Sequence, residues 1–151
     1  MLEEVNFEHI IYRRAPARFE AGTGILAGAI GLGAGFDYLD GLGMDNICRY
    51  EQDPLAYATE ALGGIAGLRL VGTAWEKVGV LSFVLDGVRP EEVGRFLDHG
   101  GIAVRVGRHC AHPTMCRFGV VATVRPSLAL YDTRAEIDAL VAAVHKAKAG
   151  T

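Results

Sequence analysis

Residues 21–36 constrain the fold of this chain more than any other stretch. The run carries no charge, is rich in glycine, and is bracketed by Glu20 and Asp37. A bilayer-spanning helix needs about 20 consecutive apolar residues, so the run is too short for that and reads as a packed helix. The spacing predicts a helix over residues 24–42. Gly24 and Gly28 lie four apart, as do Gly31 and Gly35, so each pair shares a face. A glycine inside a helix costs about 1 kcal/mol relative to alanine. Such a face is expected where another backbone approaches closely, from a neighbouring helix or a partner subunit.

The rest of the chain is ordinary for a soluble domain. Of its 151 residues, 50% are hydrophobic and 22% charged, enough to enclose a core. A net charge of −3 gives the chain as a whole no nucleic-acid footprint. Three cysteines without regular spacing argue against a disulfide framework and for a reducing, cytoplasmic setting. Met1 is followed by Leu2, Glu3 and Glu4, not by the basic segment of a signal peptide.

Alternation predicts a strand over residues 5–12. Asp45 can cap a helix carrying Ile47, Tyr50, Leu55, Ala58 and Leu62, which either kinks at Pro54 or restarts there with Asp53 as cap. Cys48 falls inside this pattern and reads as core. Strands are expected over 68–71, 79–85, 102–106 and 122–131. Between them Pro90, Glu91 and Glu92 open a helix that Gly100 and Gly101 close, and residues 112–118 give one or two helical turns. The last helix has the clearest signals: Thr133-Arg134-Ala135-Glu136 fits a capping box, with Ile137, Leu140, Val141 and Val144 on one face. From residue 68 onward the order suits an antiparallel or mixed sheet of three or four strands with helices over one face. The glycine-rich first third reads as the tail end of a larger domain.

The chemistry concentrates in Arg105-Val106-Gly107-Arg108-His109-Cys110-Ala111-His112-Pro113. Neighbouring cations favour the thiolate, the nucleophilic form of cysteine. A buried structural thiol is the competing reading, because free cysteine is among the most buried residue types. Residue types alone leave both standing. Cys116, six residues on, reads as core, as a resolving thiol, or as neither. His109, Cys110, His112 and Cys116 could suggest a metal site, but adjacent His109 and Cys110 are poorly placed for one tetrahedral ion and no C-x-x-C pair exists. Arg125 sits on a mostly apolar strand, where a partly buried guanidinium calls for a planar anion such as a carboxylate. Arg105, on the neighbouring strand, raises the same question. Gly22-Thr23 precedes the glycine-rich helix and offers either a phosphate contact at a helix N-terminus or an ordinary cap. No G-x-G-x-x-G follows a strand, which excludes a dinucleotide fingerprint.

Three segments together resemble the late part of group II cysteine desulfurases, pyridoxal-phosphate enzymes of the class V aminotransferase type. Arg18-Phe19-Glu20-Ala21-Gly22-Thr23, with Gly28 to Gly33 and Tyr50-Glu51-Gln52, is the first. Gly101 to Ala111 resembles the segment bearing the catalytic cysteine. Val124-Arg125-Pro126-Ser127-Leu128-Ala129-Leu130-Tyr131-Asp132-Thr133 resembles the segment after it. The resemblance covers nearly the whole chain, in order.

It implies the C-terminal small domain of a fold-type I pyridoxal-phosphate transferase, an α+β fold. Residues 1–45 would end the large domain and carry the interface helix, and 46–151 would form the small domain. Cys110 would take sulfur from L-cysteine as a persulfide, leaving L-alanine, and pass it to an acceptor protein. Arg125 would bind the substrate carboxylate, with Arg105 and His109 supporting it. Gly22 and Thr23 would touch the cofactor phosphate across a homodimer interface. The family's cofactor lysine follows a histidine in the large domain, and none of Lys77, Lys146 or Lys148 has that context. This chain alone is therefore expected to be inactive. Asp132 stands where the family usually has Asn, and Pro126 where it has a small residue. A stand-alone persulfide carrier or docking module is the alternative.

Overall fold

The computed structural model describes residues 1–150, which divide into two compact units, 1–43 and 44–150.

In the first unit, β1 (Leu2–Val5) and β2 (Ile10–Tyr12) pair antiparallel. The sequence predicted one strand over 5–12. Asn6 breaks it, because its side-chain oxygen accepts the N–H groups of Glu8 and His9 at 2.9 and 2.8 Å. This Asx turn folds the chain back. A single 3-10 turn, Ala17–Phe19, leads toward α1, Leu26–Leu42. α1 begins two residues later than expected, so Gly24 lies outside it and does not share a helical face with Gly28. Gly43 ends the helix at φ 82°, a conformation that favours glycine. No residue of α1 is buried, and Ile25, Ile30, Leu32 and Phe36 stand exposed.

The second unit contains α2 (Met44–Gly63), β3 (Leu68–Leu70), β4 (Phe83–Leu85), α3 (Pro90–His99), β5 (Arg105–Gly107), α4 (His112–Phe118), β6 (Thr123–Arg125) and α5 (Arg134–Ala149). α2 runs unbroken through Pro54, whose buried ring joins Ile47, Leu55, Ala58 and Leu62 on the inner face. Cys48 is exposed, a correction to its reading as core: it is the residue after Ile47, and one step turns a helix by about 100°. α2 and α5 are tied where Arg134 grips Asp53 at 2.7 and 3.2 Å and Tyr57 donates to Asp138 at 2.6 Å.

The four strands form one antiparallel sheet in the order β3-β4-β6-β5. Its strands are shorter than the hydrophobic runs suggested. Pro126 has no N–H to donate, so β6 stops at Arg125, and the flanking segment pairs irregularly through the Val80–Ser127 bridge. Leu81 still donates to the Pro126 carbonyl at 3.2 Å, and Leu128 to Gly79 at 2.6 Å. Phe83, Leu85 and Val124 pack with Leu62, Leu97 and Val144 in one core, so α2, α3 and α5 cover that face. Among the described residues this is an α+β fold of five α-helices with a small four-stranded antiparallel sheet in the second unit and the β1–β2 pair in the first.

The best-signalled helices begin where the sequence placed them. Pro90 opens α3, and Glu92 bonds back to the Arg89 N–H at 3.3 Å and to its guanidinium at 2.7 Å. Glu136 accepts both the N–H and the hydroxyl of Thr133, at 2.7 and 2.8 Å, at the start of α5. Among the described residues, no helix is long and apolar enough to cross a membrane.

Candidate active-site loop

Two adjacent strands and the turn after them bring the candidate residues of the second unit together. Val106 packs against the helix-covered core and lies opposite Val124, which is fully buried there. Strand residues alternate between faces, so Arg105, Thr123 and Arg125 project from the other face. Arg105 pairs directly with Arg125, and Gly107 with Thr123. Arg105 is exposed and Arg125 half-buried. The Arg125 Nε is buried and donates to no group among the described residues.

Beyond β5 the chain turns sharply. His109 and Cys110 both occupy the left-handed region, at φ 52° and 56°. Neither is glycine, and each costs of order 1 kcal/mol in that conformation. The turn is closed by the Ala111 N–H donating to the Arg108 carbonyl at 2.9 Å, and α4 starts at once. The outcome is an exposed Cys110 on a tightly held turn, not a thiol folded into the core.

His109 anchors this turn. Its ring is partly buried, and Nε2 lies 3.0 Å from the Thr123 hydroxyl and 3.3 Å from the Thr123 carbonyl. Burial lowers the His109 pKa below that of a free imidazole, and Arg125 and then Arg105 push it the same way against the Thr123 carbonyl. Burial first, then the two guanidiniums, favour the neutral ring beside Cys110.

Thr123 is the residue that sequence reasoning missed. It is the only buried polar or charged residue among those described. The available signal was a hydroxyl two places before Arg125 on an apolar strand, which needs a partner when buried. Asp132 also has a definite task. Its carboxylate accepts the Ala129 N–H at 2.7 Å, and its carbonyl accepts the Tyr50 hydroxyl at 2.9 Å. Both roles use acceptors only, which an Asn supplies equally well.

Gly22 and Thr23 belong to the first unit, in the loop before α1. Gly22 has φ 87° and open space where a Cβ would stand. The residue preceding α1 is Ile25, so Thr23 is not its cap. Lys77 is in the β3–β4 loop, Lys146 and Lys148 are in the last turn of α5, and Lys148 donates to the Ala66 carbonyl. Lys146 follows His145 in sequence, but on this outer helix.

Residues 1–140 match the family described as aminotransferase class-V, and the chain belongs to it. Cysteine desulfurases are among its relatives. The cysteine desulfurase of Synechococcus elongatus is 50% identical over 100% of this chain and 24% of its own length. The probable cysteine desulfurase 1 of Mycobacterium leprae is 50% identical over 100% of this chain and 25% of its own length. Among solved structures, the cysteine desulfurase CsdA of Escherichia coli, an S-sulfonic acid form, superposes with a TM-score of 0.83 at 34% identity, covering 99% of this chain and 37% of that one. The apo cysteine desulfurase of Thermococcus onnurineus gives 0.83 and 34%, over 99% of this chain and 38% of that one. The chain thus spans about a quarter of the length of these two curated relatives.

Proposed function

We propose that this chain is the C-terminal part of a cysteine desulfurase and that Cys110 is its sulfur-accepting nucleophile. The observation that carries the reading is an exposed thiol on a strained turn, locked through His109 to the same strand that carries Arg125. Arg125 offers a buried Nε with no partner among the described residues, suited to the carboxylate of L-cysteine, and Arg105 lies opposite it. A sulfur–sulfur bond forms between the Cys110 thiolate and the substrate thiol sulfur. The substrate carbon–sulfur bond breaks, its electron pair stays on carbon, and the thiol proton completes the methyl group of L-alanine. Cys110 keeps a persulfide, open to an acceptor protein.

Pyridoxal phosphate is the cofactor this reading requires, as the electron sink for that bond cleavage. The residues described here match it only in part. Gly22 and Thr23 offer an open backbone and a hydroxyl for the phosphate, while the three lysines stand on the β3–β4 loop and the end of α5, not in the setting of a cofactor lysine. No step is therefore assigned to the cofactor from these residues. The unburied apolar face of α1 fits a helix that packs within a larger domain and near the second subunit of a homodimer. A cytoplasmic role in sulfur transfer for iron–sulfur cluster assembly follows from the same reading.

The second unit has its own core around Phe83 and Val124, which supports one alternative, a persulfide carrier without cofactor chemistry. Alanine formation separates the two. The chain alone, given pyridoxal phosphate and L-cysteine, is expected to release none. Spliced into the Synechococcus enzyme in place of the segment it matches, it is expected to release alanine, and Cys110→Ser to abolish that release. A fully active Cys110→Ser chimera overturns the assignment of Cys110.

A further inference from the structure

The charge around Cys110 is one-sided. Between Asp98 and Asp132 the chain has no acidic residue, yet it carries Arg105, Arg108, Arg117 and Arg125, in a protein whose net charge is −3. Arg89 and Arg134 pair with carboxylates. Among the described residues, no ion pair involves the four arginines of this stretch. Arg105 and Arg125 face each other on the sheet and serve the substrate in the reading above. Arg108 and Arg117 are exposed and have no such task. Arg108 accepts the bond that closes the Cys110 turn, and Arg117 ends the seven-residue α4 that begins at His112. A helix of that length spans roughly 10 Å, about one Debye length at physiological salt. Cys110, two residues before α4, therefore lies between Arg108 and Arg117 in a stretch of chain with no acidic residue.

We propose that Arg108 and Arg117, flanking Cys110, form a docking rim for an acidic protein surface that presents the sulfur-accepting thiol. The proposal rests on the reading of Cys110 as the persulfide carrier, because whatever takes that sulfur must approach this exposed turn. Charge complementarity selects the partner: an acidic face is drawn in and oriented, while a basic or neutral one is not.

The test uses the full chain with Cys48→Ser and Cys116→Ser, leaving Cys110 as its one thiol. Its probes are short peptides whose single cysteine carries a 2-thiopyridyl disulfide, flanked by glutamates, glutamines or lysines. In each reaction the Cys110 thiolate forms a disulfide with the peptide sulfur, the probe's own disulfide breaks, and 2-thiopyridone leaves and is read by its absorbance. At low ionic strength the glutamate peptide is expected to react about tenfold faster than the glutamine peptide, with the lysine peptide slowest, and added salt should bring the three together. Arg108→Gln with Arg117→Gln should remove most of the spread, read as the ratio of the glutamate rate to the glutamine rate within each protein, so that any common change in Cys110 reactivity cancels. Equal glutamate and glutamine rates, or a spread that survives the double variant, would overturn the rim. A spread equally large with a single-carboxylate disulfide would also overturn it, and assign the effect to a small-anion site at Arg105 and Arg125. A Cys110 inert to all three peptides would instead refute the nucleophile reading, and the rim with it.

Discussion

Arg105 and Arg125 stand directly opposite each other on neighbouring antiparallel strands, β5 and β6. Cross-strand partners have Cβ atoms about 5 Å apart, and like charges there are destabilising by roughly 0.2–1 kcal/mol. Nothing in the fold requires two guanidiniums at this register, and an anion held between them turns repulsion into attraction. Arg105→Gln is therefore expected to raise the melting temperature by about 2–4 °C at low salt. Malonate or sulfate should raise the melting temperature of the unaltered chain more than that of Arg105→Gln. Differential scanning calorimetry across anion concentrations checks both, and a lower melting temperature in the variant would contradict the repulsion.

A second expectation concerns the cost of presenting the thiol. Cys110 sits at φ 56° and His109 at φ 52°, where glycine is at ease and other residues are strained. Cys110→Gly should stabilise the chain by about 1 kcal/mol, while Cys110→Ala, with the same backbone preference as cysteine, should leave stability nearly unchanged. Urea unfolding of both variants is the measurement. Equal stabilities for Gly and Ala would show that the turn is not strained.

Protonation of His109 should loosen its anchor. Its folded pKa is depressed, by burial first and then by Arg125, so below the unfolded value of about 6.5 the unfolded chain binds the proton more readily. The stability gained from a neutral His109 is complete above that value. It declines as pH falls through about 6.5 toward the folded pKa, beyond which the loss is full. Melting temperatures between pH 7.5 and 5 should therefore fall less in His109→Gln than in the unaltered chain. In NMR the His109 ring should titrate with a midpoint below about 6.5.

α3 and β5 meet at one glycine. A Cβ on Gly94 would collide with Val106, whose strand leads straight into the Cys110 turn. Gly94→Ala is expected to cost about 1–3 kcal/mol, despite alanine's better helix propensity. Val106→Ala, added to it, should restore much of the loss. The double-mutant cycle, followed by chemical denaturation, reads the coupling directly. Additive effects would show that α3 shifts freely away from the sheet.

Local chemistry made α3 and α5 legible. Pro90, Glu92, Thr133 and Glu136 act on backbone groups within three residues of themselves, so their meaning survives in one dimension. Those signals with the apolar pattern sufficed for an α+β fold, and the run from Arg105 to Pro113 marked Cys110 as a candidate without deciding its role.

Burial and cross-strand register were not legible. Whether Cys48 is inside or outside depends on which face of α2 meets the core, and α2 presented that face one residue away. The strands over 79–85 and 122–131 shortened because Pro126 denies the sheet a donor, a loss that matters only once a neighbouring strand is in place. That the His109 ring is held by Thr123, fourteen residues on and across the sheet, was equally hidden.

The amino-acid sequence by itself determined the kind of residues at the candidate site and the helices that frame it, because both rest on contacts between near neighbours in the chain. Only the tertiary structure decided that Arg105 opposes Arg125, that Thr123 holds His109, and that Cys110 faces outward. Each of those depends on residues brought together across the sheet, where register and burial are fixed by the whole core at once.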